Sequence, residues 1–149
     1  MIRIKLQIYN RSDTIFTKEN IREDVQSIKE HYQTNDIYKL CKRLKLNIFS
    51  NELGNVKGIL QFHKGKVIVH INTNMEYKGI LLSYILGYFF FHAQTNQTII
   101  FKEVACREAL IFSSEFLNQP ISIVTVKLNH SSGNPFFFTS KIEHKFYKE

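Results

Sequence analysis

Between residues 79 and 101 this chain carries no Lys, Arg, Asp or Glu. The core of that stretch reads Ile80-Leu81-Leu82-Ser83-Tyr84-Ile85-Leu86-Gly87-Tyr88-Phe89-Phe90-Phe91-His92. Its strongly apolar part stops near Phe91, short of the ~20 residues a membrane helix needs. It reads instead as a central helix, apolar all round and buried on every side. The other elements therefore have to wrap it. A chain of 149 residues, 44% hydrophobic and 13% aromatic, can do so, and we expect a single domain over 1–149. This composition also argues against disorder, which needs low hydrophobicity and high charge.

The elements around the helix follow from local pattern. Residues 2–8 alternate apolar and polar side chains, as a half-buried strand does. Thr17-x-x-Asn20 opens a helix over 21–32, with Ile21, Val25 and Ile28 on one face. Asp36 opens a second helix to about residue 45, and residues 46–49 form a short strand. Residues 58–62 and 66–72 flank His63-Lys64-Gly65, a hairpin whose glycine supplies the turn. The long helix is predicted over 75–93. A polar turn over 94–98 separates it from a helix over 101–117, which Pro120 stops. Residues 121–128 alternate and are expected to be a strand; 136–139 and 141–144 return as another. No linker composition, internal repeat or low-complexity segment interrupts the chain.

The central helix also has the frame of a known motif. A zincin helix carries His-Glu-x-x-His: two histidines one turn apart bind zinc, and the glutamate acts as general base on the metal-bound water. Here those three positions are Tyr84, Tyr88 and, for the base, Ile85. The frame around them resembles the ImmA/IrrE family of metallopeptidases. That family reads approximately Phe-Thr-Leu-Ala-His-Glu-Leu-Gly-His, then three mostly apolar residues and often a further His. Leu82, Leu86, Gly87 and His92 fall on the pattern. A later family helix reads approximately Glu-Ala-Asn-x-Phe-Ala-x-x-Leu-Leu-x-Pro. Glu108, Ala109, Phe112, Leu117 and Pro120 follow it, and Leu110 departs from it. The match covers about 36–120, leaving 121–149 as a strand-rich C-terminal extension. The resemblance implies an α+β fold: zincin-like helices packed on a small, mainly antiparallel sheet. It implies that Glu108 stands where the family has its third zinc ligand. It also implies that Tyr84, Ile85, Tyr88 and Glu108 are a degenerate former zinc site, without metal, cofactor or catalytic residue. The phenols of Tyr84 and Tyr88 are expected to donate to the Glu108 carboxylate, as a polar plug.

On that basis the chain is expected to be a non-catalytic, protein-binding regulator or inhibitor from a phage or mobile element. Two versions fit: an antirepressor that binds a helix-turn-helix repressor, or an inhibitor of a host defence nuclease such as an anti-CRISPR. Phe136, Phe137 and Phe138, with Lys141 beside them, are the candidate partner-binding patch. Consecutive side chains on a strand alternate, so three phenylalanines cannot all face one core. The formal net charge of +7 leaves a second class, a nucleic-acid-binding regulator, although the basic residues are spread along the chain. A residual metallopeptidase is a third reading. His63, His70 and His92 show no pairing at one-turn spacing, and Cys41 and Cys106 form no CxxC pair. Both thiols read as reduced and buried. No signal peptide or membrane segment is apparent, so the cytoplasm is the expected location.

Overall fold

The computed structural model describes residues 16–92 and 97–130. Helix α1 (Lys18–Tyr32) begins at Thr17, whose hydroxyl accepts from the Asn20 amide while the Asn20 side chain reaches back to the Thr17 amide. This reciprocal cap satisfies donors that the first turn leaves unpaired. Ile21, Val25 and Ile28 form its buried stripe. Helix α2 (Ile37–Arg43) starts from Asp36, which accepts from the amides of Tyr38 and Lys39.

Three strands follow: β1 (Asn47–Asn51), β2 (Gly58–His63) and β3 (Lys66–Asn72). Lys64 and Gly65 join β2 to β3 with φ of 50° and 76°, the left-handed pair that a two-residue hairpin turn needs. The central helix α3 (Lys78–Phe91) buries eleven of its residues. Strand β4 (Thr98–Phe101) completes the sheet, and helices α4 (Arg107–Leu117) and α5 (Ile121–Leu128) close the described chain. The sheet order is β1-β3-β2-β4, with β1 parallel to β3 and both other pairings antiparallel. The α+β class expected from sequence is therefore what the chain adopts.

Helix α3 lies between the sheet and α4. Leu60, Val67, Val69 and Ile71 of the sheet's inner face share one core with it, as do Ala109, Phe112 and Phe116 of α4. Gly87 makes the α3–α4 approach close: a Cβ there would sit 2.8 Å from Phe112 Cβ. The buried hydroxyls of Ser83 and Ser113 bond to each other across the same seam. Helix α1 packs on α4, with Arg22 paired to Glu115 at 3.2 Å and the Lys29 ammonium over the Phe116 ring.

Two sequence expectations need correction. Residues 101–106 are not the start of a helix. Thr98–Phe101, with two β-branched isoleucines, pairs with the free edge of β2, and α4 begins only at Arg107. Residues 121–128 are not a strand. They form α5, which places Val124 and Leu128, one turn apart, in the core while Val126 stays 67% exposed. Burial of that pair overrides the β preference of the local sequence. The predicted strands at 2–8, 136–139 and 141–144 lie outside the described residues. Among the described residues no single helix is long and apolar enough to cross a membrane.

Candidate metal centre

Tyr84, Ile85 and Tyr88 lie on the length of α3 that runs past β4 and the start of α4. Tyr84 is buried, and its ring meets Phe101 edge-on at 5.9 Å. Its hydroxyl accepts a 3.0 Å hydrogen bond from the Cys106 amide. Burial pushes the Tyr84 phenol up to about 12, against the lowering effect of the hydrogen bond from the Cys106 amide. The group therefore stays a neutral phenol at ordinary pH. Ile85 is fully buried and packs against Gly58. Tyr88 is edge-on to Phe101 at 5.2 Å and tilted against the His92 ring at 5.4 Å. This face is filled by aromatic packing. Two neutral phenols and an isoleucine do not fit a zinc ion, which takes imidazole, thiolate and carboxylate ligands.

Glu108 projects from the first turn of α4. Its Oε1 receives a 3.0 Å hydrogen bond from His92 Nε2, and its Oε2 lies 3.3 Å from Arg107 Nη1. Cys106, at the N-cap of α4, brings its Sγ to 3.8 Å from the same Oε1. Tyr84 engages the Cys106 backbone, while His92 and Arg107 engage the carboxylate. Burial works to raise the Glu108 pKa, but the His92 hydrogen bond, the helix-start amide and the charges of His92 and Arg107 outweigh it. The carboxyl is held below its ordinary value. Burial pushes the Cys106 thiol upward, and the Glu108 charge adds to that.

Among the described residues His92, Cys106 and Glu108 bring a nitrogen, a sulfur and a carboxylate oxygen within 4.8 Å of one another. Sequence reasoning found Glu108 and His92 separately and took Cys106 for an inert thiol. The available signal was Cys106-x-Glu108 at a helix start, following an imidazole at the end of the preceding helix. His63 and His70 do not join this group. His63 is exposed at the end of β2, and His70 faces outward from β3, bonded to Asn51 at 2.8 Å. Phe136, Phe137, Phe138 and Lys141 lie outside the described residues.

Comparison with known proteins bears on this geometry. No protein-family model matches the chain, and no solved structure matches it. The protein named Metallopeptidase ImmA from Bacillus subtilis (strain 168) is 34% identical over 99 residues. This chain resembles the ImmA metallopeptidases. The similarity covers 65% of this chain and 57% of that protein, so the chain spans little more than half the length of the relative it matches. The expectation that the chain is not an enzyme is corrected here. It rested on the loss of His-Glu-x-x-His at Tyr84, Ile85 and Tyr88, and the relative is named a metallopeptidase.

Proposed function

We propose that this chain acts on a protein partner as a regulator or inhibitor of the kind that phages and mobile elements carry. The partner is a helix-turn-helix repressor or a host defence nuclease, as for an antirepressor or an anti-CRISPR. The main support is the outer face of the sheet. Phe49 of β1, His70 of β3, Ile59 of β2 and Ile100 of β4 are in register and form one row across all four strands. Phe49 is 50% exposed and Ile100 56%, and the Phe49 ring stacks on His70. Single exposed apolar residues are normal on a protein surface. A row spanning a whole sheet face, beside the more polar row of Asn47, Ile68, Gln61 and Thr98, has the make-up of a protein contact.

The test is gel filtration of the chain with a candidate repressor or defence nuclease at low and high salt. A stoichiometric, salt-tolerant complex is expected, abolished by Phe49→Glu with Ile100→Glu while circular dichroism is unchanged. Binding to random DNA alone, falling steeply with salt, overturns the reading in favour of nucleic acid. The relative's name favours a second reading, peptide-bond cleavage of the partner. The intact mass of the recovered partner distinguishes it from simple binding.

A further inference from the structure

We propose that His92, Cys106 and Glu108 form a binding site for a divalent metal of the zinc class, displaced from the helix face where the resemblance would put one. Of its three ligands only Glu108 stands at a zinc-ligand position of the family pattern, and the site stands independently of the protein-partner reading above.

The donor set makes the argument. An imidazole, a thiol that binds as thiolate, and a carboxylate are the ligand types zinc takes. The sulfur disfavours calcium and magnesium, which prefer all-oxygen cages. With metal–ligand bonds of about 2.0–2.3 Å, neighbouring ligand atoms in a tetrahedral site stand about 3.3–3.8 Å apart. The Nε2–Oε1 and Sγ–Oε1 separations are 3.0 and 3.8 Å, and no pair exceeds 4.8 Å. Side-chain adjustment alone brings all three to a common metal.

The surroundings hold the ligands for this role. Arg107 occupies Glu108 Oε2 and leaves Oε1 toward His92 and Cys106. Arg107 is itself anchored on the Phe16 carbonyl at 2.8 Å. Tyr84 fixes the Cys106 backbone, and the Tyr88 ring lies against His92. Such outer contacts orient first ligands and tune affinity. Two of the three ligands sit at the start of α4, where the helix dipole favours anionic groups. All three are partly exposed, so an ion can enter, and three protein ligands leave a fourth position for water or a substrate atom. On binding, the Cys106 thiol proton and any proton shared by His92 and Glu108 pass to solvent.

The test is cobalt(II) titration of the reduced, metal-stripped full chain, followed by optical absorption. The expected result is one ion per chain, visible d–d bands of a four-coordinate site, a near-ultraviolet thiolate-to-cobalt band, and bleaching by one equivalent of zinc. Cys106→Ser should remove the thiolate band, and His92→Ala or Glu108→Gln should each weaken binding by at least about tenfold. Serine is itself a good N-cap, so Cys106→Ser retains the fold, which circular dichroism verifies. Cys41→Ser should leave the spectrum intact. Absence of a cobalt spectrum in the folded wild type overturns the proposal. So does a thiolate band that survives in Cys106→Ser or disappears in Cys41→Ser.

Discussion

Replacing Gly87 by alanine measures how tightly the central helix is held against α4. The added Cβ would lie 2.8 Å from Phe112 Cβ, 3.0 Å from its Cγ and 3.1 Å from Ala109 Cα. Comfortable carbon–carbon contacts fall at about 3.5–4.0 Å, so the new methyl intrudes on three atoms at once. None of the three is the free end of a flexible side chain, and Phe112 and Ala109 are themselves fully buried. Relief therefore requires α3 and α4 to part, with an overpacking cost of about 1–3 kcal/mol. Against this stands the preference of a helix interior for alanine over glycine, about 1 kcal/mol. Gly79→Ala in the same helix supplies the control, because its Cβ would meet the Tyr38 ring no closer than 3.4 Å, an ordinary contact. Much of the propensity gain cancels between the two variants, and their difference isolates the steric cost. Urea unfolding at unchanged m-value is the assay. Gly87→Ala should be less stable than Gly79→Ala by about 1–3 kcal/mol. If it proves equally stable or more stable, the close seam described here is wrong.

Two other consequences are accessible to simple assays. Burial, aided by the Asp36 charge, pushes the Cys41 thiol up to about 12 from an unfolded value of 9.0. Iodoacetamide at mildly alkaline pH should leave Cys41 unlabelled until urea unfolds the chain. The raised folded pKa means that the associated stability is fully present below pH 9.0 and is lost as pH climbs toward 12. Cys41→Ala should flatten that loss. In α5, Val124 is fully buried and Val126 is 67% exposed. Val124→Asp should cost about 3–5 kcal/mol by leaving an unpaired buried charge. Val126→Asp should stay within about 0.5 kcal/mol of wild type. Equal effects, as a strand with both residues on one face would give, would refute the helix; thermal denaturation monitored by circular dichroism decides between them.

The parts of the fold that were legible in the sequence are those set by short-range pattern. The uncharged block announced α3, the Lys64-Gly65 turn announced the hairpin, and Thr17 and Asp36 announced the starts of α1 and α2. The segments that were misread depend on distant partners. Thr98–Phe101 is four residues long and becomes a strand because β2 offers it an open edge. Ile121–Leu128 is rich in β-branched residues and becomes a helix because Val124 and Leu128 find the core. The candidate site divides the same way. Tyr84, Tyr88 and Glu108 were found by resemblance to a motif. The meeting of His92 with Cys106 depends on α3 and α4, separated in the sequence by β4, packing directly on each other.

The placement of β4 has a consequence for how the molecule assembles. Strands β2 and β3 are joined by two residues, so their pairing closes a small loop at little entropic cost. Strand β4 reaches β2 only after β3 and the whole of α3 have been laid between them. The hairpin is therefore the early, local product, and the outer ladder is the late one. His92 precedes β4 in the chain, while Cys106 and Glu108 follow it. The three side chains share no neighbourhood in a half-folded chain. An ion gripped by all three would act as a seal on the finished molecule rather than as a seed for its folding.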